Sequence, residues 1–151
     1  MRSLLLLLLL ALSACSSTAE NKPSPPPIVA AGTPVELRVM VDSGGTTFKD
    51  KAGADYQVGP VALVLARFTK IEAGFAEAGG HHVQLELPSD DAAKFAKFTE
   101  ENVGKRIAFV VKNMVVTAPT LQSAITGGSI EISGGFTAAD AGTIADTIRR
   151  G

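Results

Sequence analysis

VQLELPSDDAAKFAKFTEENVGKRIAFVVKNMVV, residues 83–116, changes its hydrophobic period twice, and those changes decide the fold class. Val83, Leu85 and Leu87 alternate with Gln84 and Glu86. Successive side chains of a strand point to opposite faces, so this is a half-buried strand. Pro88 closes it, having no amide proton for a ladder. Ser89 or Asp90 is placed to cap a helix, and Asp90 and Asp91 fall in its first turn, where the helix dipole favours negative charge. Ala92, Phe95, Ala96, Thr99 and Val103 then recur at three- and four-residue steps, giving one apolar stripe on a helix that ends at Gly104. Residues 107–111 are a fully apolar strand, and Val115 and Val116 begin another. The short Lys112-Asn113-Met114 link predicts a hairpin, with Asn113 tolerating a left-handed turn.

Beyond this stretch, Pro119 belongs at an edge or a bend. Residues 121–125 continue the chain to a Gly127-Gly128 turn, then Ile130 and Ile132, then a Gly134-Gly135 break. Thr137 caps a last helix, with Asp140 as its capping-box partner. Ala141, Ile144, Ala145 and Ile148 form the buried face of that helix, and Arg149 and Arg150 suit its negative C-terminal end. On the N-terminal side, Val35, Leu37, Val39 and Val41 alternate with Glu36, Arg38 and Met40 as a half-buried strand. Asp42-Ser43-Gly44-Gly45 ends it with turn chemistry. Residues 46–56 are polar and read as loop; residues 61–68 are ambiguous between strand and short helix; residues 71–78 are weakly patterned. Strands joined by tight turns and interleaved with two helices give an α+β class: a mostly antiparallel sheet with both helices packed on one face.

The N-terminus reads as an address. Arg2 supplies a positive charge, and Leu4 to Leu12 is an unbroken apolar run of nine residues. A bilayer-spanning helix needs about 20, so the run has the length of a secretory signal. Leu12-Ser13-Ala14-Cys15 resembles a bacterial lipobox, with cleavage before Cys15 and a lipid on its sulfur. Cys15 is the only cysteine of the chain, so no intrachain disulfide competes for it. Two or three acyl chains anchor stably where one does not. Ser16, in place of an aspartate, resembles the default outer-membrane pattern, which places the protein on the periplasmic side, at the inner leaflet of the outer membrane of a Gram-negative source. Prolines 23, 25, 26 and 27 favour polyproline II, so residues 15–34 read as a tether reaching roughly 60 Å when extended. The expected division is a signal peptide over 1–14, the lipidated Cys15 and tether over 15–34, and one globular domain over 35–151.

Composition narrows the function. The hydrophobic fraction of 46% is enough for a packed core, and 151 residues suggest one folded domain. Net charge is -1, there is no Trp, and there is one Tyr. Neither the basic excess nor the stacking rings of a nucleic-acid binder are present. His81 and His82 are adjacent, so on a strand they point apart and form no metal pair; a surface turn is the expectation. Gly134-Gly135-Phe136-Thr137 precedes a helix but lacks a Walker lysine and the dinucleotide spacing. No serine elbow or positioned base is visible. The expectation is therefore no enzyme, no cofactor, no metal and no small-molecule substrate.

One resemblance adds to this. Glu101-Asn102-Val103-Gly104-Lys105-Arg106, then Thr117-Ala118-Pro119 leading to Ile125-Thr126-Gly127-Gly128, then Ile132-Ser133-Gly134-Gly135-Phe136-Thr137 follow each other in the order seen in the head subdomain of the first periplasmic domain of SecD. The chain resembles that family strongly from Val83 onward and loosely over 35–82. The resemblance implies a SecD-head-like fold and contact with polypeptide during export. It does not bring the proton-coupled motor of SecD, which needs membrane helices longer than any apolar run here. The leading expectation is a lipid-anchored periplasmic binding module that touches exported or unfolded polypeptides or an envelope partner. Pro119 and Phe136, beside predicted turns, are the candidate contact residues, with strand addition near Pro119 as one mode. The alternative expectation is a structural or assembly lipoprotein of the envelope, unrelated to export.

Overall fold

The computed structural model describes residues 24–76 and 79–151. Cys15, the lipobox and the start of the proline-rich stretch lie outside the described residues. The chain runs β1 (Val29–Met40), β2 (Thr46–Asp50), β3 (Asp55–Phe68), β4 (Lys70–Phe75), β5 (His81–Glu86), α1 (Ser89–Glu101), β6 (Ile107–Val111), β7 (Met114–Thr117), β8 (Ser129–Phe136) and α2 (Ala138–Arg150). Among the described residues no helix is long and apolar enough to cross a membrane.

The strands do not form the single, mostly antiparallel sheet expected from the sequence. Five of them close a barrel in the order β1-β3-β2-β7-β6, and the other three form a separate sheet, β4-β5-β8. Closure depends on β2, whose residues read as loop. β2 pairs antiparallel with β3, Thr46 opposite Val58 and Lys49 opposite Asp55. It also pairs parallel with β7, Lys49 opposite Met114 and Asp50 opposite Val115, which makes the barrel mixed. No residue of β2 is fully buried, so it lacks the apolar alternation by which a strand is recognised. The strand expected from Val35 begins at Val29: Val29 pairs with Phe68 and Ala30 with Arg67, so residues 29–34, read as tether, lie in β1.

The unbroken apolar run of β6 has a geometric cause. Ile107, Phe109 and Val111 join the large core, while Ala108 and Val110 join a smaller one with Val58 and Val115. Alternate side chains of one strand thus serve two cores. Lys112 and Asn113 form the two-residue hairpin turn to β7, with φ of 50° and 63°. Positive φ at both central residues is the type I′ requirement.

The helices do not share one sheet face. α2 packs against β1 of the barrel and against β4 and β5 of the sheet, while α1 makes its main strand contact with β3. The buried face of α2 is Ala141, Ile144, Ala145 and Ile148, as its spacing predicts. Thr137 and Asp140 form the expected capping box, the Thr137 hydroxyl accepting the Asp140 N–H and the Asp140 carboxylate accepting the Thr137 N–H. At α1 the cap differs: Pro88 holds the N-cap position without a side-chain bond. Asp91 instead accepts two bonds from the Arg67 guanidinium, at 2.9 and 3.0 Å, joining α1 to β3. The buried side chains of α1 are Phe95, Phe98 and Thr99. Thr99 is satisfied, donating to the Ala96 carbonyl and accepting the Ile125 N–H, both at 2.9 Å. Val103 lies past the helix end and is exposed.

Candidate functional site

A groove runs where the barrel meets the sheet, between β7 and β8. Neither strand pairs with the other. They come close at Gly134, where a Cβ would meet the Val116 carbonyl oxygen at 3.4 Å and the Phe136 ring at 3.2 Å. A side chain there would press on the Phe136 ring, which would have to give by a few tenths of an ångström. β8 is an edge strand, pairing with β5 alone among the described residues. The C-terminal part of β8, with Gly134 and Gly135, therefore presents backbone to the groove.

The groove has two recesses that share Asp50, Val115, Val116 and Gly134. The wider, about 590 Å³, has an apolar floor of Met114, Val116, Phe136 and Ile144, and a charged rim of Asp50, Lys51 and Asp140. The narrower, about 230 Å³, is bounded by Tyr56, Arg106, Thr117 and Pro119. Phe136 and Pro119, singled out from sequence position, thus line neighbouring recesses of one groove. Phe136 is half-buried, and Pro119 is exposed just past the end of β7, its carbonyl accepting the Ile107 N–H at 2.9 Å.

The rim residues come from three distant places. Asp50 and Lys51 lie at the β2–β3 turn. The Asp50 carboxylate accepts the Ala54 N–H at 2.9 Å and the Tyr56 hydroxyl at 3.1 Å. Chiefly the Ala54 amide lowers the Asp50 pKa, and the bond to Asp50 raises that of Tyr56. Asp140 accepts the Lys51 ammonium from across the recess, and the Thr137 N–H and hydroxyl from its own capping box. The Lys51 bond first, and the Thr137 bonds next, hold the Asp140 carboxyl at about 2. Arg106, from the approach to β6, directs its guanidinium to the Ala118 carbonyl at 3.4 Å. The sequence carries no sign that Asp50, Lys51, Tyr56 and Arg106 line this groove, and it marks Asp140 only as a cap.

His81 and His82 open β5 and are not a surface turn. Their neighbours are strand residues: His81 pairs with Phe75 and Phe136, and its ring meets Phe75 edge-on at 5.1 Å. The His82 ring packs over Gly74, where a Cβ would come within 3.0 Å of Nε2. Its Nδ1 is buried without a hydrogen-bond partner among the described residues. No group of three His, Cys, Asp or Glu side chains that could hold a metal occurs among the described residues.

Residues 42–151 match the family model of the SecDF P1 head subdomain. The SecD protein translocase subunit of Leptotrichia buccalis is 36% identical over 97 residues, covering 64% of this chain and 24% of that protein. The SecDF translocase subunit of Thermus thermophilus is 37% identical over 94 residues, 62% of this chain and 13% of that protein. The SecD subunit of Sebaldella termitidis is 34% identical over 120 residues, 77% of this chain and 29% of that protein. The chain therefore spans less than a third of the length of each of these relatives. Among solved structures, one described as a membrane component SecDF that enhances protein export superposes with a TM-score of 0.65 at 28% identity, over 81% of this chain and 64% of that one. A SecDF structure in a super-membrane-facing form superposes with a TM-score of 0.64 at 27% identity, over 81% and 19%.

Proposed function

This chain belongs to the family of SecDF P1 head subdomains, and from that premise we propose that it is a lipid-anchored binding module of the cell envelope whose β7–β8 groove contacts exported or unfolded polypeptide. The lipid on Cys15 holds the module at the membrane, on the periplasmic side and at the outer membrane if the source is Gram-negative. The module binds; it carries out no reaction, and it takes no cofactor, nucleic acid or small-molecule substrate.

The observation that carries this reading is the junction of an apolar recess with a bare strand edge. Phe136, Met114, Val116 and Ile144 offer apolar surface to side chains, while Gly134 and Gly135 offer unshielded main chain beside it. An extended segment can add its backbone to a free edge and its alternate side chains to neighbouring pockets. Unfolded chains satisfy this geometry without a unique sequence.

The test is photocrosslinking in the native cell, with a photoreactive residue at Pro119 or Phe136 and identification of what is captured. The reading predicts many exported chains or translocon subunits. Capture of one defined envelope protein, with nothing from export, would replace it by the structural or assembly role.

A further inference from the structure

We infer that the wider recess selects extended segments in which an apolar side chain is neighboured by lysine or arginine, the incoming cation displacing Lys51 from Asp140. This rests on the polypeptide reading of the same groove.

The inference follows from where each acceptor at the rim is committed. Both oxygens of Asp50 are used inside its own turn, by the Ala54 N–H and the Tyr56 hydroxyl. One oxygen of Asp140 is used inside the capping box, by the Thr137 N–H and hydroxyl. The other oxygen of Asp140 is held by Lys51. That lysine side chain is 70% exposed and reaches across the recess from the β2–β3 turn, whereas the Asp140 side chain is only 16% exposed. Lys51 is thus the one rim partner that can leave without unmaking a turn or a helix cap. Its departure alone would leave Asp140 without its cation; replacement by another cation would not.

The signs at the rim decide which segments can make that exchange. Two carboxylates and one ammonium border the apolar floor. A segment bringing aspartate or glutamate meets Asp50 and Asp140 and gains nothing from Lys51, which is already engaged. A segment bringing lysine or arginine exchanges like for like at Asp140 and frees the Lys51 side chain to solvent. Arg106 borders the narrower recess at the Pro119 end and offsets the shared Asp50 there, whereas Asp140 adds a second carboxylate at the Phe136 end, so a basic side chain is steered to the Phe136 end. Asp140 stays ionised far below neutral pH, so the exchange is available throughout the physiological range.

An exposed ion pair is weak, and exchanging one for another is weaker than creating one. The expected preference is therefore about 3- to 10-fold at low salt, shrinking as screening shortens to about 8 Å at physiological ionic strength. The experiment uses the full chain and three synthetic extended peptides with the same central Val-Leu-Val, flanked by arginine, serine or glutamate, with affinity read by fluorescence anisotropy. The arginine peptide is expected to bind tightest and the glutamate peptide weakest. Lys51→Met removes the competitor and is expected to raise the preference for the arginine peptide over the serine peptide about 2- to 5-fold. Asp140→Asn is expected to level the three peptides. Equal binding of the three to the native chain, or an unchanged or smaller arginine-over-serine preference in the Lys51 variant, overturns the inference and leaves the polypeptide reading intact. Failure of all three to bind overturns both.

Discussion

Asp140 does two jobs with one carboxylate, and acid separates them from the rest of the protein. Its folded-state pKa is lowered from 3.8 to about 2 by Lys51 and the Thr137 bonds. A lowered pKa means that the ionised form is the one the fold favours. Its stabilisation is complete above the unfolded value and is lost as pH falls from about 4 through about 2. The melting temperature should drop across that window, and the Asp140→Asn variant should lack that part of the drop. Thermal melts at a series of pH values on both proteins check this; parallel curves would contradict it. A second residue-scale prediction concerns Gly128, at φ 69°, where a Cβ would stand 2.6 Å from the Ala92 Cβ. Gly128→Ala should cost about 1–2 kcal/mol from the left-handed backbone alone, and more from the contact. Ala92→Gly in the same chain should restore the contact share only. A double-mutant cycle with an interaction below about 0.5 kcal/mol would show that the contact is relieved by other means.

At the scale of elements, legibility tracked how local each cause is. α2 is readable in full, because its cap, its stripe and its terminal charges all lie within residues 137–150. The β6–β7 hairpin was readable because two turn residues fix it. β2 was not. Its pairing with β7 is parallel and joins residues far apart in sequence, and its half-exposed side chains carry no period. Without β2 the remaining strands read as one sheet; with it, five of them close a barrel. The groove was half legible for the same reason: Pro119 and Phe136 stood out beside turns, but Asp50, Lys51 and Arg106 reach it only through barrel closure. β6 gives a test of the two-core description. Phe109→Ala empties space in the large core and should cost about 3–5 kcal/mol. Val110→Ala empties the barrel interior, whose mostly small core residues enclose less, and should cost less than Phe109→Ala. Chemical denaturation of the two variants checks the order; the reverse order would mean that the barrel interior, not the core shared with the sheet and α2, dominates stability.

The barrel and the three-stranded sheet are held as one body by α2, whose Ile148 is fully buried in the large core together with β1, β5 and β8 residues. Ile148→Ala should lower stability by about 2–5 kcal/mol and keep a single unfolding transition, since among the described residues no core belongs to the sheet alone; two separated transitions in calorimetry would contradict that. This construction also explains where the groove lies. β7 and β8 are brought together by α2 and the barrel without pairing, so their junction stays open. Among the described residues a second open edge exists on β3, whose residues 59–66 pair with β1 only, with Val61 and Val64 exposed. The measurement that discriminates between these surfaces is NMR titration of the isotope-labelled chain with a reduced, permanently unfolded polypeptide. The account predicts shifts concentrated at residues 50–52, 114–119 and 134–136. Shifts confined to residues 59–66, or no shifts at saturating concentration, would contradict it.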